Sequence, residues 1–375
     1  MIRLLSIVGA RPQIIKAAAI SRAVRSKFAG VIEEKILHTG QHYDDNMSEV
    51  FFRELGIPAP DYNLHVGSGS HAEQTGEMLK RIEKVLQGEP IGDCKLEIGD
   101  FKPFDGVIVY GDTNSTLAGA LAASKLQVPI FHVEAGLRSF NMSMPEEINR
   151  IVADRLANVL FAPTMTAMKN LEYEGLTGVL SGDVMYDNSM YFSAMADMKS
   201  DIIERLGLSY RNFVLATIHR PTNTDNEENL GSILRALGDI AASGVDVIFP
   251  CHPRTRKKLR DESLEFRESS HFHLIDPVSF FEIIRLEKEA AIVLTDSGGV
   301  QKEAFFYGTP CVILRPETEW VEIVDAGAGI LTDADYNRIM KAYADLSGRS
   351  VNFPPLFGDA HASEKILSEI VEYLG

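Results

Sequence analysis

Cysteine is nearly absent. Cys94, Cys251 and Cys311 are the only three in 375 residues, and no two form a C-x-x-C pair. That spacing excludes a disulfide scaffold and a cysteine-rich zinc site, and fits a reducing cytoplasm. Basic residues are also scarce: 37 Lys and Arg stand against 53 Asp and Glu, a net charge of −16. Nucleic acid and anionic membrane surfaces both require a basic face, so neither is expected as a partner. An anionic small molecule stays open, because a few local cations can hold one. Long apolar runs are missing as well. The longest uncharged stretch near the middle, Thr113–Ser124, is too short and too polar to span a bilayer. The apolar run Leu4–Ala10 is stopped by Arg11 and reads as a buried first strand rather than a signal-peptide core. There is no Walker A motif, no internal repeat and no low-complexity segment.

What is there is enough to fold. With 45% hydrophobic and 24% charged residues the chain can bury real cores, and global disorder is excluded. Its length implies two domains. Short β-branched runs alternate with amphipathic ones. Leu4–Val8, Lys35–His38, Gly106–Tyr110, Pro129–Val133 and Asn158–Ala162 read as strands. Ile14–Lys27, Met47–Leu55, His71–Leu86, Ser115–Leu126 and Glu146–Ala157 read as the helices between them. The rhythm resumes with strands at Phe213–Thr217, Asp246–Pro250, His273–Ile275, Ala291–Thr295 and Cys311–Leu314. Their helices are Asn226–Ala242, Thr255–Arg260, Ser279–Glu289, Val300–Tyr307 and Ala334–Asp345, and a last helix spans Ala360–Leu374. Continuous apolar strands alternating with helices predict an α/β protein with two Rossmann-like, doubly wound parallel sheets. The domains are expected at 1–180 and 181–358, with 359–375 a terminal helix. Residues 88–104 break the rhythm as a loop insertion.

Open parallel sheets bind ligands beyond the carboxyl ends of their strands. The residues found there are informative. Gly9-Ala10-Arg11-Pro12 follows the first strand, with Lys16 on the helix after it. Gly111-Asp112 and Glu134 follow later strands of the first half, and Glu146 opens a helix after Pro145. His219-Arg220, His252, Asp296-Ser297-Gly298-Gly299 and Arg315 follow strands of the second half. A Ser-Gly-Gly turn before a helix points exposed N–H groups and the helix dipole at an anion, and with Arg11 and Arg315 this predicts a diphosphate site. The plainer reading is an ordinary N-cap by Ser297. Glu303, one turn on, could bind ribose hydroxyls or simply face solvent. Asp112, Glu134 and Glu146 are candidate acid/base groups. Mutual repulsion among three converging carboxylates would raise their pKa values toward neutrality. The plainer readings are a loop cap for Asp112 and dipole complementarity for Glu146; Glu134 has the weakest such reading. His219 and His252 read as phosphate or sugar contacts, since two histidines without a third ligand make no metal site. Gly67-x-Gly69-x-x-Ala72 matches a dinucleotide fingerprint only formally, lacking a proper strand and ribose acid.

These residues stand in longer motifs: Gly9-Ala10-Arg11-Pro12 with Ile15-Lys16, Thr39-Gly40-Gln41-His42, Gly111-Asp112-Thr113, His132–Arg138, Pro145–Arg150, His219-Arg220 and Thr295–Glu303. In that order, over nearly the whole length, the chain resembles the non-hydrolysing UDP-N-acetylglucosamine 2-epimerase family. The resemblance implies a glycosyltransferase-B-type fold with a cleft between two domains, and reversible inversion at C2 of UDP-GlcNAc to give UDP-ManNAc. It implies a cytoplasmic homodimer that supplies surface-polysaccharide precursors and needs no cofactor or metal. By motif position it makes Asp112, Glu134, Glu146 and His219 catalytic. Arg11, Lys16, His252, Ser297, Gly298, Gly299, Glu303 and Arg315 become substrate- and UDP-binding residues. Gln41, His42 and Arg220 match an allosteric site of some members. There are departures: Gln13 stands where the family often has Glu, Pro221-Thr222 replace an Arg- or Glu-containing pair, and Trp320-Val321 replace a frequent Arg-Pro. Ser70-His71 stand where the allosterically activated members carry Arg-Gln. GARPQ, RSFN before MPEEINR, and TEWVE are more similar to the branch acting on UDP-2,3-diacetamido-glucuronate. A glycosyltransferase, a hydrolysing epimerase and a non-catalytic nucleotide-sugar sensor are the competing readings.

Overall fold

The computed structural model describes residues 1–40, 56, 58–90, 101–251, 256 and 269–375, and only the backbone of Arg11. Gln41, His42, Cys94, His252 and the expected helices at 47–55 and 255–260 lie outside the described residues, apart from Arg256. The chain divides into two compact units, 1–188 with 356–375, and 189–355.

In the first unit the strands are β1 (Ile2–Val8), β2 (Ile32–His38), β3 (Tyr62–Asn63), β4 (Gly106–Tyr110), β5 (Ile130–Val133), β6 (Val159–Ala162) and β7 (Val179–Leu180). Among the described residues they form one sheet in the order β3-β2-β1-β4-β5-β6-β7. Every pair is parallel, with Leu4 opposite Gly106 and Tyr110 opposite Val133. A parallel sheet covered on both faces requires strands apolar on both sides, and β4 and β5 are buried along their whole length. The covering helices are α1 (Arg11–Lys27), α2 (His71–Gln87), α3 (Asn114–Lys125), α4 (Pro145–Leu156) and α5 (Met165–Tyr173). Helix α2 shows why such a segment is helical. Ser70 and Glu73 close a capping box, Gly88 ends it in the left-handed conformation, and Met78, Ile82 and Val85 share the buried face.

The next helix, α6 (Val184–Lys199), contains the boundary at 188 and 189. The second unit continues with α7 (Ile202–Arg205), β8 (Phe213–Thr217), α8 (Pro221–Thr224), α9 (Glu227–Ala242), β9 (Asp246–Pro250) and β10 (Phe272–Ile275). Then come α10 (Phe280–Glu289), β11 (Ile292–Thr295), α11 (Gly298–Phe306), β12 (Cys311–Ile313), α12 (Val321–Asp325), β13 (Gly329–Leu331) and α13 (Tyr336–Ser347). Its sheet is again parallel, in the order β10-β9-β8-β11-β12-β13. The last helix, α14 (Ala362–Leu374), returns to the first unit. Ile366, Leu367 and Ile370 are fully buried, and Asp187 accepts hydrogen bonds from the Ala362 and Ser363 amides.

The sequence pattern missed β3, β7 and β13, and also α5, α6, α7, α8 and α12. The strands are two or three residues long, too short to show a period. Helix α6 carries apolar residues around most of its circumference and so lacks the one-sided stripe that marks a helix. The residues 88–104 are described only up to 90 and from 101. Phe101 and Phe104 there meet edge to face, and Phe104 is buried within the core of the first unit.

Candidate active site

Each sheet changes winding direction once, between β1 and β4 and between β8 and β11. Those are the topological switch points, where the chain leaves adjacent strands in opposite directions and opens a crevice. The candidate residues gather at both.

In the first unit the switch point is locked by Gln13, which is 1% exposed. Its Oε1 accepts the Gly9 and Ala10 amides at 2.8 and 3.1 Å, and its Nε2 donates to the Tyr110 carbonyl at 2.8 Å and Thr116 Oγ1 at 2.9 Å. One amide side chain thus joins the loop after β1 to the end of β4. Both ends of a Gln, one donating and one accepting, are needed for this, which a glutamate would not supply as an anion. Gly9 is obligatory beside it, since a Cβ there would lie 2.0 Å from Ser115 Oγ and 2.2 Å from Thr39 Oγ1.

Beyond this lock stands Glu134, directly after β5. Its backbone is left-handed, φ 69°, a strained conformation for a non-glycine residue. Lys16, on the second turn of α1, ion-pairs with its carboxylate. Gly111 lies beneath the pair, its missing Cβ 3.1 Å from both Glu134 Oε2 and Lys16 Nζ. A buried charge network holds this floor. His132 faces Asp154 Oδ1 at 2.7 Å through Nδ1 and the Gly111 carbonyl at 2.8 Å through Nε2. Asp154 Oδ2 takes Arg138 at 2.7 Å and the Gly136 amide at 3.1 Å. Burial works to raise the Asp154 carboxyl, but His132 and Arg138 outweigh it and hold it below its ordinary value.

Asp112 follows Gly111. It does not cap α3, whose N-cap is Thr113 without a side-chain bond. Its carboxylate is instead ion-paired to Arg150, and its backbone carbonyl accepts Asn149 Nδ2 at 2.8 Å. Glu146 is exposed on the first turn of α4, where the positive end of the helix dipole favours an acid. Asp112 and Glu134 each have their own cation, so charge pairing governs them. Sequence reasoning missed Arg150 and Asn149 as site residues, although both stand in the Pro145–Arg150 motif with Glu146.

In the second unit the lock is Asp296, which is fully buried. It accepts the His219 amide at 3.1 Å, the Arg220 amide at 3.1 Å and Asn223 Nδ2 at 3.1 Å, and faces His219 Nδ1 at 3.1 Å. Burial opposes ionisation, but the His219 ring and these donors keep the carboxyl below its ordinary value. The His219 side chain is mostly exposed, and its Nδ1 contact to Asp296 orients the ring. Ser297 does cap α11, accepting the Val300 amide at 3.4 Å. Gly298 lies close to Glu319: a Cβ there would lie 2.2 Å from Glu319 Oε1, the tip of a part-exposed side chain that could shift to admit it. Glu319 is paired with Arg315 at 2.8 Å, so Arg315 stands over the α11 N-terminus. Glu303 is half-buried one turn on. Burial, and then the Glu303 charge, push the fully buried Glu287 carboxyl well above its ordinary range. Lys302 Nζ sits 4.1 Å over the Trp320 ring, a contact that gives the departure at Trp320 a packing role.

The residues brought together are thus Lys16 with Gly111 and Glu134, Asp112 with Asn149 and Arg150, His219 and Arg220 with Asp296, and Gly298 with Arg315. Ser70 caps α2, and His71 Nδ1 lies 3.2 Å from Asn114 Nδ2. Gly67 and Gly69 stand in the loop before that cap, and the preceding strand has two residues, which removes the formal dinucleotide match. Cys251 is buried, its thiol pushed up to about 11 by burial, which leaves it unreactive. Among the described residues no group of three or more His, Cys, Asp or Glu could hold a metal ion, and no helix is long and apolar enough to cross a membrane.

Comparison with known proteins gives consistent matches. The family model described as UDP-N-acetylglucosamine 2-epimerase matches residues 26–371. A UDP-N-acetylglucosamine 2-epimerase homolog of Methanococcus maripaludis is 48% identical, over 97% of this chain and 98% of its own. The UDP-2,3-diacetamido-2,3-dideoxy-D-glucuronate 2-epimerase of Pseudomonas aeruginosa is 46% identical, over 99% of both chains. The crystal structure of Methanocaldococcus jannaschii UDP-GlcNAc 2-epimerase in complex with UDP-GlcNAc and UDP superposes with a TM-score of 0.79 at 40% identity. It covers 99% of this chain and 100% of that one. The two doubly wound units correspond to the glycosyltransferase-B-type fold of those structures.

Proposed function

The chain belongs to the UDP-N-acetylglucosamine 2-epimerase family, whose members are isomerases, and from that premise we propose that it inverts C2 of a UDP-N-acetylhexosamine, interconverting UDP-GlcNAc and UDP-ManNAc. The observation that carries this reading is the set of ion-paired carboxylates at one switch point, Glu134 with Lys16 and Asp112 with Arg150.

The chemistry explains the need for them. The C2 proton has no adjacent carbonyl, so its direct removal is poorly stabilised. Breaking the C1–O bond to UDP as the C2–H bond breaks leaves a glycal, and the electron pair departs with the diphosphate. A carboxylate takes the proton; a carboxylic acid on the opposite face returns one to C2 as UDP re-adds to C1. Asp112, Glu134 and Glu146 are the proposed acid/base groups, with Lys16 orienting Glu134. His219 is a further proposed catalytic group, and Ser297, Gly298, Gly299, Glu303 and Arg315 are the proposed nucleotide-binding groups, whose N–H donors suit a departing diphosphate. Arg11 and His252 join them by motif position. The elimination requires no redox cofactor. The same proposal makes the protein a cytoplasmic homodimer that supplies surface-polysaccharide precursors.

A second substrate is favoured by the Pseudomonas aeruginosa relative. It is the diacetamido-glucuronate nucleotide, which carries a further carboxylate and acetamido group. One NMR time course in deuterated water, with each nucleotide sugar in turn, tests the reading. The expected result is the C2 epimer, with deuterium at C2, from one of the two. Product without deuterium at C2 overturns the elimination. Release of the free sugar and UDP makes the protein a hydrolysing epimerase, and no turnover of either substrate leaves a transferase or a sensor.

A further inference from the structure

The geometry points to Arg150 as a positioning residue for epimerisation: a guanidinium bracket that aims Asp112 and ties that aim to the loop before α4. The inference rests on the reading above. Arg150 reaches between two carboxylates. Its Nη2 donates to Asp112 Oδ2, and its Nη1 donates to Glu147 Oε2 at 2.8 Å. The Glu147 side chain is 1% exposed and the Asp112 side chain 31%. The guanidinium is therefore anchored on a buried anion and holds a more accessible one.

Glu147 cannot readily yield. Its oxygens also accept the backbone amides of Ser139 and Phe140, both at 2.9 Å. Those two bonds keep Phe140 left-handed, φ 56°, a conformation costly for an aromatic residue and sustained only where the surroundings impose it. Asn149 meanwhile fixes the Asp112 carbonyl. Helix α4 thus fixes the loop through Glu147, the Asp112 backbone through Asn149 and the Asp112 carboxylate through Arg150.

This arrangement suits a proton-moving group. Among the described residues Arg150 is bonded to Oδ2, and Oδ1 of Asp112 is the oxygen assigned to the proton at C2. A carboxylate whose Oδ2 is held by one nitrogen of an anchored, planar guanidinium keeps its other oxygen in a fixed direction, and direction is where large rate factors lie. The pair is partly exposed, 15% at Arg150 and 31% at Asp112, so solvent screens part of its attraction and its contribution to stability is modest. A lysine would supply the charge but not the fork.

The test measures kcat, KM and C2 deuterium incorporation for the wild type and for Arg150→Ala, Arg150→Lys and Glu147→Gln. UDP affinity is measured by calorimetry and folding by thermal melting. Arg150→Ala is expected to lose about 10²-fold in kcat, the factor typical of a misplaced reacting group, with KM and UDP affinity nearly unchanged. Arg150→Lys recovers part of the loss. Guanidinium ion at non-denaturing concentration recovers part of it for Arg150→Ala and does nothing for the wild type. Glu147→Gln shows a smaller kcat loss that guanidinium does not restore. Wild-type kcat in Arg150→Ala overturns the inference. So does a loss confined to KM or UDP affinity, or a loss that neither lysine nor guanidinium relieves. If Arg150→Ala fails to fold, Arg150→Lys decides, and unchanged kcat there with the fork removed also overturns it. A wild type that epimerises neither nucleotide sugar sinks the functional reading and this inference with it, whereas an active wild type with indifferent variants sinks the inference alone.

Discussion

Single residues at these strand ends are held by charge and burial together. Glu134 has Lys16 against it and a strained backbone beneath it, a combination that is costly unless the side chain is used. Replacing it by Gln keeps the shape and removes the proton-accepting charge. Glu134→Gln is expected to lower turnover by roughly 10²–10⁴-fold while UDP affinity by calorimetry stays near wild type. Loss of UDP affinity instead assigns Glu134 a structural role. His38 carries a different consequence. It is 2% exposed, and burial first, then the nearby His65, lower its pKa from 6.5 to about 4. The unfolded chain therefore binds a proton between those values that the folded chain does not. Stability is complete above pH 6.5 and falls as pH drops toward 4, by roughly 3 kcal/mol across the window. His38→Gln is expected to flatten the pH dependence of the urea midpoint over that range.

At the scale of elements, the fold depends on close approaches that only glycine permits. Gly136, φ 78°, sits where the chain leaves β5 and passes α5; an added Cβ would lie 2.5 Å from the Ala167 carbonyl and 2.8 Å from Leu171 Cγ. Backbone cannot move aside as a flexible side chain can. Gly136→Ala is expected to destabilise by roughly 2–4 kcal/mol, strain and overpacking together. Gly175 has a similar φ of 72° but open space around it. Gly175→Ala carries only the left-handed penalty, of about 1–2 kcal/mol. Urea denaturation of the two variants checks the difference, and equal losses count against the packing argument.

At the scale of the whole molecule, the two units are built by the same rule, and the first is completed by the far end of the chain. Besides its three buried aliphatics, α14 contributes Glu364 to an ion pair with Lys27 at 2.5 Å and Tyr373 to an edge-to-face contact with Phe131. Three fully buried aliphatic side chains are worth about 1.5–3 kcal/mol each, comparable with the whole margin of a domain, about 5–15 kcal/mol. A chain ending at Pro355 is therefore expected to lose soluble yield or cooperative melting of the first unit. Recovery of a full-length-like melt rules out this role for α14. The net charge of −16 belongs to this scale too. It says little about the proposed nucleotide ligand, which would be held by Arg315, the α11 start and a few other placed groups.

The sequence by itself determined the alternation of apolar strands and helices, and hence two parallel α/β units, because burial on both faces of a strand must be written in its composition. It also marked the residues at the strand ends, since turns before helices need Gly, Ser and Asp. Short strands such as β3 and the apolar-all-round helix α6 were not legible, for want of a period. Only the tertiary structure decided the pairings. That Gln13 locks Tyr110, that Asp296 gathers His219 and Arg220, and that Arg150 takes Asp112 depend on chain segments tens of residues apart. Hydrogen bonds and ion pairs act over about 3 Å in space, and no spacing along the chain encodes them.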